Sequence, residues 1–138
     1  MQLLSEQLRG RMGFEGIVVT DCGAIGVMTG NHHWEHEDGS PYTPIQATAA
    51  ALKAGTDVNC GGAFGGHLPT AYATQLVSLD DLNPAAGRTI MGHLELGLFQ
   101  DTKTAAADSR RQYSMDIVDS AEHRALATQA AVEGAAAA

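Results

Sequence analysis

"GFEGIVVTDCGAIG", residues 13–26, runs a β-branched apolar stretch straight into a carboxylate and a set of small turn residues. "GIVVT" is short and continuously apolar, the pattern of a strand covered on both faces, as in a parallel sheet flanked by helices. Asp21 then falls at that strand's C-terminal end. Upstream, Leu3, Leu4, Gln7 and Leu8 sit at helical spacing, and the polar "RGRMG" that ends at Gly13 reads as a helix stop. Downstream, a polar loop rich in His, Asp and Gly spans residues 30–42, and "TPIQATAAALKAG" follows with a clear helix start. Thr43 is the N-cap, Pro44 takes the first helical position, Gln46 completes a capping box and Gly55 can close the helix in a left-handed turn. "TDVNC" (56–60) reads as a second short strand, "GGAFGGH" (61–67) as a glycine-rich loop and "HLPTAYATQL" (67–76) as the next helix. The alternation predicts an α/β fold of βα repeats on a parallel sheet.

Beyond Ser78 the rhythm weakens, because Pro84, Gly87 and Gly92 interrupt the approach to "LELGLF" (94–99). A helix starting at Asn83–Pro84 is expected there. Residues 100–114 show little periodicity and read as a linker. "DSAEHRALATQAAVEG" (119–134) predicts a final helix with a capping box at Asp119 and Glu122, and the closing "AAAA" carries no tertiary information.

The 138 residues are in the range of one domain or part of a larger one. No apolar run approaches the ~20 residues a membrane helix needs, and no basic segment precedes an apolar core at the N-terminus, so a soluble chain without signal peptide or membrane partner is expected. Sixteen acidic against eight basic side chains give a formal charge of -8, which repels phosphate backbones and argues against a nucleic-acid partner. The two cysteines, Cys22 and Cys60, are too few for a disulfide framework and lack CxxC spacing. Each follows the end of an expected strand, so a bridge between neighbouring strands is geometrically possible, but two free thiols are the expected state.

In βα architectures chemistry gathers at the C-terminal ends of strands, where Asp21 and the Asn59–Cys60 pair both lie. Asp21 is either the N-cap of a short helix over "CGAIGVM" or a catalytic or ligand carboxylate. Asp57 lies inside its strand, which suits a buried, hydrogen-bonded structural role or a grip on a substrate hydroxyl better than catalysis. "HHWEHED" (32–38) mixes imidazole and carboxylate, yet His32 and His36 are four apart in a segment flanked by turn residues, so a solvated rim is expected and no metal. Trp34, the single tryptophan, is either a stacking platform for a sugar ring or ordinary lid packing, and His33 is its neighbouring binding candidate. The glycines of "CGGAFGGH" lack a GK[ST] ending and GxGxxG spacing, and no serine sits in a GxSxG elbow. A small nucleotide- or metal-binding α/β module is therefore the rival reading, and a non-catalytic remnant another.

Taken in order, "LRGRMGFEGIVVTDCGAIG", "AAALKAGTDVNCGG", "LELGLFQD" and "AEHRALATQAAVEG" resemble glycoside hydrolase family 3, the retaining β-glucosidases and β-xylosidases, over nearly the whole chain. In that family a strand ending in Ser-Asp-Trp or Ser-Asp-Cys carries the nucleophile. The resemblance implies that role for Asp21, with Thr20 in the serine position, and the Asp-Cys pairing leans toward xylosidases. It implies a partial TIM-like (β/α)8 barrel: the last two βα units plus a linker and a terminal helix. Residues 1–99 would be the C-terminal part of the barrel domain, 100–118 the interdomain linker and 119–138 the truncated start of a second, α/β sandwich domain. The implied substrate is a β-linked oligosaccharide or aryl glycoside, with no cofactor. The acid/base is expected to be absent from this chain, and the remainder of the enzyme to be needed to complete the barrel. Gln75 stands where the family commonly has glycine.

Overall fold

The computed structural model describes residues 3–99 and 113–136. It divides into two units, residues 1–98 and 99–138. The first unit opens with a π-helix, Leu3–Arg11, followed by α1 (Ala24–Gly30), α2 (Pro44–Ala54), α3 (Ala63–Ala73) and α4 (Leu79–Glu95). The described residues of the second hold a 3-10 turn, Met115–Ile117, and α5 (Ala121–Ala136).

The expected α/β barrel portion is not what the chain forms. The described residues are mainly helical and contain no strand. Where two strands were expected, the segments after Gly16 and after Gly55 meet in one parallel bridge, Val19 to Val58. The main chain joins them through Thr20 N–H to the Val58 carbonyl at 3.0 Å and Val58 N–H to the Val18 carbonyl at 3.1 Å. Side chains then take over the groups a ladder would use. The Val18 N–H donates to the Asp57 carboxylate at 2.8 Å, and the Cys60 N–H donates to the Thr20 hydroxyl at 3.1 Å. A pair this short, with no third segment among the described residues to extend it, does not propagate into a sheet.

Helix α2 is the centre of the first unit and packs against α1, α3, α4 and the π-helix. Its start is as the sequence predicts. The Thr43 hydroxyl accepts from Gln46 N–H at 3.3 Å while the Gln46 side chain accepts from Thr43 N–H at 2.9 Å, and Pro44 follows the cap. Gly55 closes the helix at φ 112°, a left-handed conformation that favours glycine. The buried face carries Ala47, Thr48, Ala49 and Leu52, and the core continues through Ala71, Val77 and Ala85 with Phe64, Leu68 and Leu82 packed around it. The small side chains on α2 allow close helix approach at the expense of buried apolar area per residue.

Three helix boundaries differ from the sequence reading for local reasons. The glycine-rich run 61–67 is not a loop: α3 begins at Ala63, because the Asn59 side chain accepts from the Ala63 and Phe64 amides at 3.0 and 3.3 Å. Helix α4 begins at Leu79 rather than at Asn83, since Ser78 and Asp81 form a full capping box and the helix continues through Pro84. Both bonds from Ser78 hold the Asp81 carboxyl below the usual carboxylate range. Helix α5 starts after Ser120, whose hydroxyl accepts from His123 N–H at 3.2 Å, while Asp119 pairs instead with Arg124 at 2.8 Å. The linker reading of residues 100–118 lies outside the described residues as far as 112.

Gln75 follows the end of α3 at φ 61°, a left-handed position that disfavours a side chain. Gln75→Gly is expected to stabilise the first unit by about 0.5–1 kcal/mol, the relief of that strain net of glycine's greater unfolded freedom. A lower urea midpoint for the glycine variant would contradict it. Among the described residues no helix is long and apolar enough to cross a membrane.

Candidate active site

Asp21 follows Thr20 directly at the end of the extended segment, and its side chain is exposed. It does not cap α1. The N-cap there is Gly23, at φ 77°, with no side-chain cap bond. The Asp21 carboxylate accepts instead from the adjacent Cys22 N–H at 2.7 Å, while its main-chain carbonyl accepts from Ala24 N–H at 3.2 Å. Only Oδ1 of the carboxylate has a hydrogen-bond partner among the described residues, so Oδ2 is open to solvent or a reactant.

The segment Asn59–Cys60 lies alongside, as its place after the second extended segment predicted. Cys22 and Cys60 are joined by a disulfide with Cα atoms 4.3 Å apart, which corrects the expectation of two free thiols. The Gly23 N–H donates to the Cys60 carbonyl at 2.8 Å. On the other side of Asp21, the Thr20 hydroxyl accepts from the Asn59 side-chain amide and from the Cys60 N–H, both at 3.1 Å. Sequence reasoning identified the cysteines as neighbours and missed Thr20 and Asn59 as a bonded pair. Their 39-residue separation leaves no local signal.

The Asp57 side chain is fully buried and takes the structural alternative. Oδ2 accepts from Arg9 Nη2 at 2.6 Å and from the Val18 N–H at 2.8 Å, while Oδ1 accepts from Arg88 Nη2 at 2.7 Å and Nε at 2.9 Å. One carboxylate thus ties the π-helix, the first extended segment and α4 to the second. Arg9 also donates to the Gly55 carbonyl at 3.2 Å, beside the end of α2.

The loop after α1 folds back on itself through an antiparallel bridge between Glu35 and Pro41. Tyr42 stacks on Trp34 with centroids 4.1 Å apart and on His36 at 3.7 Å, at interplanar angles of 11° and 18°. Two rings so close and so nearly parallel cannot share one face, so Tyr42 is sandwiched between them. This packing places Trp34 and His36 on a cavity of about 510 Å³ that is also lined by Met28, Gln46, Leu76 and the alanines of α2. Asp21 does not line that cavity. No hydrogen bond or ring contact joins Asp21 to Trp34 or to His33, which is exposed and adopts φ 46°. The mixed run 32–38 brings together no group of three metal-ligating side chains among the described residues. Asp38 is engaged within the loop, its carboxyl lowered below the usual range by bonds from the Ser40 hydroxyl and amide.

Residues 1–63 match the family model described as the glycosyl hydrolase family 3 N terminal domain. Over 132 residues the chain is 33% identical to "Probable beta-D-xylosidase 7" of Arabidopsis thaliana, covering 96% of this chain and 16% of that protein. It is 35% identical over 101 residues to "Xylan 1,4-beta-xylosidase" of Xylanibacter ruminicola, covering 72% of this chain and 11% of the relative. Among solved structures it is similar to a β-glucosidase from Listeria innocua in complex with glucose. The TM-score is 0.71 at 27% identity, over 96% of this chain and 17% of that one. The chain thus spans about a sixth of the length of the first of these relatives. The motif around Asp21, the family model that ends just beyond Cys60 and the likeness to both enzyme groups agree: the chain belongs to glycoside hydrolase family 3.

Proposed function

We propose that the chain carries the nucleophile of a retaining β-glycosidase that removes terminal non-reducing β-D-xylosyl or β-D-glucosyl residues, and that Asp21 is that nucleophile. The observation that carries this reading is the state of its carboxylate: exposed at the end of an extended segment, steadied by one backbone N–H and not used as a helix cap. Retention needs a carboxylate that attacks the anomeric carbon, and a second carboxyl group about 5 Å away that protonates the leaving oxygen and later activates water. In this reading the second carboxyl comes from outside residues 1–138, as do most groups that hold the sugar hydroxyls. The names of the relatives favour xylosides, with β-glucosides next.

His33 and Trp34 are proposed as the rim that meets the sugar. The left-handed backbone at His33 supports this, since strained positions gather at functional loops. One face of Trp34 is occupied by Tyr42, which leaves the other for the C–H face of a pyranose. The chain alone is expected to turn over neither nitrophenyl β-xyloside nor nitrophenyl β-glucoside, because a nucleophile without a positioned acid loses both leaving-group protonation and orientation. The reading is tested by grafting the chain into the framework of a full-length relative and following hydrolysis by proton NMR. The first sugar formed should be the β-anomer. An α-anomer as first product would overturn a retaining mechanism.

A further inference from the structure

We infer that the Asp21 turn is held by a two-sided clasp, in which the Thr20 hydroxyl and the Cys22–Cys60 disulfide act as positioning groups and the disulfide makes the hold redox-sensitive. The inference rests on the reading of Asp21 as nucleophile and adds what aims it.

The Asp21 carboxylate is exposed and accepts a single hydrogen bond among the described residues, so its direction is set by the residues on either side. Both flanks are anchored to the same short segment. Before Asp21, the Thr20 hydroxyl accepts from Asn59 Nδ2 and from Cys60 N–H. After it, Cys22 is covalently joined to Cys60 and Gly23 N–H bonds the Cys60 carbonyl. The anchor is itself fixed, because Asn59 Oδ1 caps the first turn of α3. A close backbone approach completes it: a side chain at Gly61, where φ is 132°, would meet the Gly23 main chain. The Cys22 N–H that reaches Asp21 Oδ1 belongs to the bridged residue, so the carboxylate's one partner among the described residues is carried by the disulfide.

Cys22 is exposed, so a small dithiol can reach the bridge. Dithiothreitol breaks the Sγ–Sγ bond, delivers two electrons and two protons to give two thiols, and is itself oxidised to its cyclic disulfide. The Thr20 hydroxyl bonds and the Gly23 N–H bond to the Cys60 carbonyl then remain as the non-covalent hold on the turn. Serine at position 20 keeps the hydroxyl, whereas valine keeps the shape and removes the acceptor.

The test uses the 138-residue chain labelled with ¹⁵N, reading amide exchange and the Cys22 amide resonance. Asp21→Ala identifies the signature of the Cys22 bond, which it should abolish with the bridge intact. Reduction by dithiothreitol and Thr20→Val should each raise exchange at Cys22 by about tenfold or more. Thr20→Ser should not, and in Thr20→Val the α2 amides from Ala49 to Leu52 should stay as in the parent. Unchanged Cys22 exchange in both the reduced chain and Thr20→Val overturns the clasp. An equal rise along α2 in Thr20→Val also overturns it, because the hydroxyl would then support the whole unit. Two free thiols in the oxidised chain by thiol titration would remove its covalent half. A clasp that behaves as expected while a fluoroglycoside fails to label Asp21 in the grafted enzyme would retire the nucleophile reading and the positioning role together. A labelled Asp21 with an indifferent clasp would retire the clasp alone.

Discussion

Asp21→Ala in the grafted enzyme is expected to lower turnover of an activated xyloside by about 10⁴-fold or more, the scale seen when a member of a covalent catalytic set is removed. Stability should hardly change. The carboxylate is exposed, its one partner among the described residues is the adjacent amide, and α1 is capped without it, so the substitution removes little that folding uses. A shift within about 0.5 kcal/mol is expected from urea unfolding, as for an ordinary surface position. Separation of the two effects is the informative part. A large loss of both activity and stability would mean that Asp21 is part of the scaffold, whereas retained activity would place the nucleophile elsewhere.

Asp57→Ala is expected to do the opposite. It removes the shared acceptor of Arg9, Arg88 and the Val18 N–H, and leaves two guanidinium groups and a backbone donor facing a site built for a carboxylate. Both arginines are partly buried, with 15% and 28% of their side chains exposed, so water compensates only in part. Removing one member of a buried charge pair costs about 3–5 kcal/mol, and a lost acceptor for a buried amide adds to that. Such a sum is comparable to the whole stability of many domains, and the first unit has a small core of mostly short side chains. Loss of a cooperative thermal transition at neutral pH is the expected result. Asp57→Asn, which keeps the shape and loses the charge, should fall between the variant and the parent. A transition within about 1 kcal/mol of the parent for Asp57→Ala would show that the arginines find other partners.

These two carboxylates also mark the limit of what the sequence discloses. The start and stop of α2 were legible because a capping box and a C-terminal glycine act within four residues of the bonds they make. Asp57 could be read as buried from its place in an apolar stretch. Its partners lie 48 and 31 residues away in sequence, and no local pattern points to Arg9 or Arg88. The same distinction explains the missing sheet. "IVVT" and "TDVNC" have the composition of buried strands, yet whether such a segment builds a ladder or a single bridge depends on what lies beside it. The glycine-rich run after Cys60 reads as a loop until Asn59 is seen to cap it. Pro84 drew the start of α4 four residues too far along, to Asn83, although Ser78 and Asp81 carried the signal three apart. At the candidate site, the position of Asp21 and its nearness to Cys60 followed from the order of segments. The disulfide and the Thr20–Asn59 bond needed coordinates.

The central claim is that the bond to the sugar forms on Asp21, and the most direct measurement is the location of that bond. The grafted enzyme is incubated with a 2-deoxy-2-fluoro-β-xyloside bearing a good leaving group, which slows hydrolysis of the glycosyl-enzyme, then digested and mapped by mass spectrometry. The account predicts one added fluoroxylosyl group, on Asp21. A label on Asp57 or Glu35, with Asp21 unmodified, would contradict it.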